Sequence, residues 1–248
     1  MSGHSKWSTI KRKKGANDAK RGKLFTKLIK ELVVAARHGG DEDVNARLRT
    51  AVQNAKAANM PHATIERAVK RGSGEEADVN YEELVYEGYG PGGVAIMIEI
   101  LTDNKNRTVA EVRHVFSKYN GNLAENGSVA WMFEQKGLIE IDKAVIDEES
   151  LMMAVMDAGA DDIQDEDEIF EVVSSVANFE SVKKALEEND IDFKQASLGR
   201  LPQNMLEVKG REIEQIVTLL EALDDLDDVQ KVFSNFDIQE EELQTLVL

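Results

Sequence analysis

The chain has no cysteine, no long apolar run and only four histidines. Without cysteine there is no disulfide framework, no thiolate metal site and no cysteine nucleophile, a composition that suits a reducing cytoplasm. No stretch approaches the roughly 20 apolar residues that span a bilayer, and no apolar h-region follows the first positive charges, so neither a membrane span nor a secretory signal is expected. His4, His38, His62 and His114 fall on separate segments. No Gly-x-Ser-x-Gly elbow occurs and no paired histidine spacing suggests a metal. A non-enzymatic, soluble, cytoplasmic protein without cofactor or metal is the expectation. At 248 residues the chain divides into two or three domains.

What is present is charge, unevenly placed. The first 71 residues hold 17 lysines and arginines against 6 aspartates and glutamates, a balance of +11. The remaining 177 hold 13 against 41, a balance of −28, and together these give the net −17. An acidic whole therefore contains a basic N-terminal module, which attracts a polyanion, nucleic acid being the commonest. The alternatives are a solvated basic face, or one that docks on the acidic part of its own chain.

The basic module has two parts. The arm up to Ala16 carries Lys6, Lys11, Arg12, Lys13 and Lys14 around Trp7 and Ile10. Arms of this kind order on a phosphate backbone, and Trp7 could stack on a base; equally, Trp7 and Ile10 could pin the arm to the neighbouring helices. From Asp18 to about His38, Leu24, Phe25, Leu28, Ile29, Leu32, Val33 and Ala36 make one apolar stripe, and Gly39-Gly40 ends the helix. Lys20, Lys23, Lys27 and Lys30, with Arg21 beside them, fall opposite, where a rigid row of cations can track successive phosphates. Two shorter helices follow, about Val44–Ala58 with Val44 inward, and one from Pro61 to Gly72. The last has Arg67, Lys70 and Arg71 but no row of Asn or Gln, so base reading in a major groove is poorly supported.

Beyond the linker Gly72–Asp78 the period shortens to that of strands, at Leu84–Tyr89 and Val94–Leu101. The glycine-rich turn between them leads into a strand and lacks the Gly-Lys-Ser/Thr ending, which excludes a P-loop. Thr108-Val-Ala-Glu111 has the form of a capping box, and Lys105, Arg107, Arg113 and Lys118 cluster around that helix start. This cluster is either a second phosphate contact or a locally paired helix surface. A strand is expected at Ser128–Phe133. The order that follows, strand 138–141, helix 148–158, strand near 162, strand 169–174, helix 178–188 and strand 192–201, is βαββαβ, the ferredoxin-like sequence of elements. Its strand Ile169–Ser174 lacks base-stacking aromatics, and the acidic runs around it lack EF-hand spacing, so neither an RNA platform nor a calcium loop is expected. A strand at 206–209, a helix at 211–223 and a strand at 229–233 close the chain and are expected to complete the sheet begun at Leu84.

Five collinear stretches resemble the YebC family (YebC/PmpR): Gly3-His-Ser-Lys-Trp7, Asp18-Ala-Lys-Arg-Gly-Lys23, Tyr86 to Gly93, Asn104 to Arg113, and Gly127-Ser-Val-Ala-Trp131. Ala124-Glu-Asn-Gly127 departs from the family's usual Gly-Glu-Ser-Gly. The resemblance implies a probable transcriptional regulator without enzymatic activity. Mitochondrial relatives act as translational activators, and bacterial members have been linked to the ribosome. It also implies an α+β fold of three domains: a helical domain over 1–74, a middle α+β domain over 80–134 and 203–248, and a ferredoxin-like domain inserted at 135–202. The expected partner is nucleic acid, either DNA or structured RNA including the ribosome, and basic proteins are a further candidate for the acidic part.

Overall fold

The computed structural model describes residues 7, 10, 18–74, 80–166, 168–239 and 242. The protein is α+β, with antiparallel pairing in its two main sheets. Contacts gather it into two compact units: one of Met1–Lys30, Asp78–Glu134 and Leu201–Leu248, the other of Glu31–Ala77 and Gln135–Arg200. The boundary falls inside the first helix, between Lys30 and Glu31.

In the first unit, β1 (Glu82–Tyr89) and β2 (Ala95–Thr102) pair in antiparallel fashion, with Tyr86 opposite Ile98. The sheet is completed by β3 (Asn122–Leu123) beside β1 and β9 (Val229–Ser234) beside β2. Two helices pack on it, α4 (Lys105–Lys118) and α7 (Arg211–Asp224). The strand period explains why β2 is buried at every position but Glu99. Ile96, Ile98 and Ile100 enter the core that includes Val112, Phe116, Ile216 and Leu220, whereas Ala95 and Met97 enter a second core with Val129, Phe133 and Phe233. Residues Leu206–Glu207 (β8) pair in parallel with Phe236–Asp237 (β10) and not with the main sheet.

In the second unit, α2 (Ala46–Ala57) and α3 (His62–Gly72) follow the end of α1 (Asp18–Ala36). Gly72 is required there by close approach: a Cβ at that position would lie 2.2 Å from the Val33 carbonyl oxygen. The rest runs β4 (Phe133–Asp142), α5 (Glu148–Val155), β5 (Ala160–Glu166), β6 (Ile169–Ser175), α6 (Phe179–Glu188) and β7 (Gln195–Pro202). The sheet order β5–β6–β4–β7 is that of a split βαβ unit. Its edge strand β7 is not bare, because the Asn54 side chain both donates to the Ala196 carbonyl (2.7 Å) and accepts from its N–H (2.8 Å).

Four local expectations are corrected. Val44 is 82% exposed, because α2 starts later, with Asn45 accepting the Leu48 N–H as its N-cap. The helix α4 is not capped at Thr108; it begins at Lys105, with Asn104 accepting the Arg107 N–H. Residues 130–132 form a 3₁₀ turn in place of a strand, since nearby backbone donors are claimed by a side chain described below. The α1 pattern is also not one apolar stripe opposite a charged one. Leu24 is 45% exposed, whereas Lys30 is 8% exposed and Leu32 to Ala36 are all buried.

Candidate nucleic-acid interface

Of the lysine row of α1, Lys23, Lys27 and Lys30 face carboxylates of their own chain. Lys23 pairs with Asp225 (2.9 Å), Lys27 with Asp224 (2.9 Å) and Lys30 with Asp228 (2.8 Å). The cause lies in α7, which has no basic residue in its last turn and ends in a run of aspartates. Its terminal carbonyls need donors and its dipole favours cations there. The α1 lysines supply both, Lys27 Nζ donating to the Asp224 carbonyl (2.8 Å) and Lys23 Nζ to the C-cap Asp225 carbonyl (3.3 Å), while Lys30 Nζ donates to the Asp227 carbonyl just beyond the helix (2.7 Å).

Lys30 belongs to a buried polar node. Asp228, 3% exposed, accepts from Lys30 Nζ, from Arg107 Nη2 (2.6 Å), from Thr108 Oγ1 (2.7 Å) and from Thr102 Oγ1 (3.1 Å). Burial alone pushes this carboxyl up, but the hydrogen bonds from Arg107, Lys30 and Thr108 together outweigh it and hold the pKa at about 2. Arg107 also donates to Asp103 (2.9 Å), and its two carboxylate hydrogen bonds, to Asp228 first, raise its own pKa further. Lys27, Lys30 and Arg107 are thus engaged within the fold. Lys23 differs, its pair with Asp225 lying in solvent at 42% and 60% side-chain exposure, where such pairs contribute about 0–1 kcal/mol.

Trp7 is 3% exposed and Ile10 fully buried, both within the core of the first unit. The ring therefore packs and is not presented to a base. Lys6, Lys11, Arg12, Lys13 and Lys14 lie outside the described residues, as does the side chain of Lys20. Arg21 is exposed beside Phe25, 5.5 Å from the ring centroid. Lys105, Arg113 and Lys118 are exposed on α4, with no carboxylate pair among the described residues, and Lys118 sits 5.1 Å from the Tyr119 centroid. Of the predicted cluster, then, Arg107 turns inward to Asp228 and the other three face water. Among the described residues no group of three or more His, Asp or Glu is placed to hold a metal ion, and no helix is long and apolar enough to cross a membrane.

Sequence reasoning passed over Glu87. This β1 carboxylate is 4% exposed and accepts the N–H of Gly127 (2.7 Å), Val129 (2.7 Å) and Ala130 (2.9 Å). It fixes the loop that ends in Trp131, which is 64% exposed. The alternation of β1 gave only a weak signal, a glutamate between Tyr86 and Gly88. Replacing Glu87 by Gln keeps the shape but turns an amide N–H₂ towards donors. The expected loss, read by chemical denaturation, is about 1–3 kcal/mol; unchanged stability would mean that the loop holds itself.

The chain belongs to the TACO1/YebC family. The family's N-terminal domain matches residues 5–75, and its second and third domain match residues 81–236. Among its relatives, a probable transcriptional regulatory protein of Desulforapulum autotrophicum is 57% identical over 97% of this chain and 98% of that one. Another of the same description, from Geobacter sulfurreducens, is 54% identical over the full length of both. The crystal structure of a conserved hypothetical protein from Aquifex aeolicus superposes with a TM-score of 0.85 at 44% identity, covering 90% of this chain and 93% of that one.

Proposed function

We propose that the protein is a non-enzymatic, cytoplasmic nucleic-acid-binding regulator of gene expression, organised in the three domains 1–74, 80–134 with 203–248, and 135–202. The observation that carries the reading is the +11 balance of the first 71 residues within a chain of net charge −17. Chemistry narrows the contacts. Cations already bonded to buried carboxylates are poor phosphate ligands, because leaving them strands a buried charge. The binding set is accordingly the arm, Lys6, Lys11, Arg12, Lys13 and Lys14, with Lys20, Arg21 and Lys23, joined by Lys105 and Arg113. The relatives' names speak for transcription.

A second reading, structured RNA including the ribosome, is favoured by the lack of base-reading side chains on α3, which points to backbone and shape recognition. Arm and α4 cations gripping one polyanion act through effective concentration, and a folded RNA spans both more readily than a short straight duplex. The test replaces Lys105 and Arg113 together by Gln, both exposed, and compares ribosome co-sedimentation with titration of a short promoter duplex at one salt concentration. Binding to ribosomes should fall several-fold more, with the log–log salt slope lower by about 0.7–0.9 per lost contact. Equal losses would remove the preference for RNA, and no loss on either would return Lys105 and Arg113 to a solvated helix surface. A third reading, an adaptor for basic proteins, draws on the exposed Met152 and Met153 of α5 and on Met156 just after it, within the acidic part.

A further inference from the structure

Trp131 is held more firmly than an exposed side chain needs. Glu87 takes three backbone N–H groups of the loop before it, and the Glu87 carbonyl accepts the N–H of Ala124 (2.8 Å). The Ser128 carbonyl accepts both the Tyr89 hydroxyl (3.0 Å) and the indole Nε1–H of Trp131 itself (3.1 Å). Val129, fully buried, plugs the loop into the core with Ala95, Met97, Phe133 and Phe233. Gly127, at φ +88°, makes the turn that aims all of this. A desolvated carboxylate is costly unless fully bonded, and here its bonds serve to fix the base of an exposed indole.

The surroundings say what that ring can take. Its only polar atom is already bonded, so it offers faces and no hydrogen-bond handle. In the loop that leads to it, Glu125, Asn126 and Gly127 are exposed and polar or small. The only other large hydrophobic exposed among the described residues of this unit is Leu24. Protein docking sites are contiguous apolar patches of several hundred Å², whereas a single flat ring in a polar setting suits a single flat ligand.

We propose that Trp131 is a stacking platform for one unpaired nucleobase of the bound nucleic acid; this rests on the nucleic-acid reading above. Bases inside a duplex are already stacked, so the site selects looped, bulged or single-stranded segments. It adds affinity without adding a phosphate contact, and that separates it from the cations.

The experiment uses the full chain, a hairpin RNA with a single-stranded loop, and a blunt duplex of the same stem sequence. The protein has two tryptophans, and Trp7 is buried, so acrylamide-quenchable emission reports on Trp131. The hairpin should quench that emission and shield it from acrylamide, and the duplex should do neither. Trp131→Ala should weaken hairpin binding on the order of ten-fold, leave duplex binding unchanged and leave the salt slope unchanged, with Trp131→Phe restoring most of the loss. Wild-type hairpin affinity in Trp131→Ala, or an equal loss on hairpin and duplex, would overturn stacking while leaving nucleic-acid binding intact. Absence of binding to either nucleic acid by the unmodified protein would instead overturn the functional reading, and the stacking with it.

Discussion

Asp228→Ala should cost about 3–5 kcal/mol of stability, enough to threaten the fold, because it leaves Lys30 buried without its carboxylate. The loss is not of a surface ion pair. Lys30 is 8% exposed and Thr102 fully buried, so water cannot replace the missing carboxylate for either, whereas Thr108 keeps the Asn104 carbonyl (3.0 Å) as an acceptor. Asp228→Asn keeps the volume and one acceptor oxygen and should cost less. The same node sets a pH dependence. The folded pKa of about 2 lies below the ordinary aspartate value of 3.8. The stabilisation is therefore fully present above about pH 4 and is lost as pH falls towards 2, a difference on the order of 2 kcal/mol. Urea unfolding of the wild type and Asp228→Asn between pH 6 and 2 measures it: the two curves should converge at the acid end. Parallel curves throughout would show that Asp228 is not ionised in the folded protein.

Replacing Lys11, Arg12, Lys13 and Lys14 together by Gln in the full chain should lower nucleic-acid affinity on the order of a hundred-fold near physiological salt. It should flatten the log–log salt slope by about 3, at roughly 0.7–0.9 per phosphate contact. Unrelated sequences should be affected alike, because backbone contacts carry no sequence information. Thermal unfolding should not move, since Trp7 and Ile10, the two arm residues in the core, are retained. An unchanged slope and affinity would remove the arm from the interface. Neutralising Lys27 and Lys30 is not an equivalent experiment: those variants lose bonds to Asp224 and Asp228, so weaker binding would follow from loss of fold. Removing residues up to Gly74 is likewise uninformative, because it strips Trp7 and Ile10 from one core and α2 and α3 from the other unit.

The sequence by itself determined the element order, the family and the charge division, for reasons that are local or additive. Periodicity placed α4, α7 and the βαββαβ run to within a few residues, because each buries one face at the repeat its backbone imposes. Net charge needs no coordinates. The tertiary structure decided which charges remain available to a partner. Lys23, Lys27 and Lys30 have the spacing of a phosphate-tracking row, yet their partners are supplied by aspartates 197 to 202 residues away, at the end of another helix. Nothing in the local pattern distinguishes a lysine that faces water from one that caps a distant helix. Glu87 and Trp131 show the same limit. A glutamate in a strand and a tryptophan 44 positions later are unremarkable singly, and only the folded loop joins a buried carboxylate to an exposed ring through three backbone N–H bonds. Ion pairing and hydrogen bonding depend on a few ångströms of separation in space, and sequence separation carries no information about that distance.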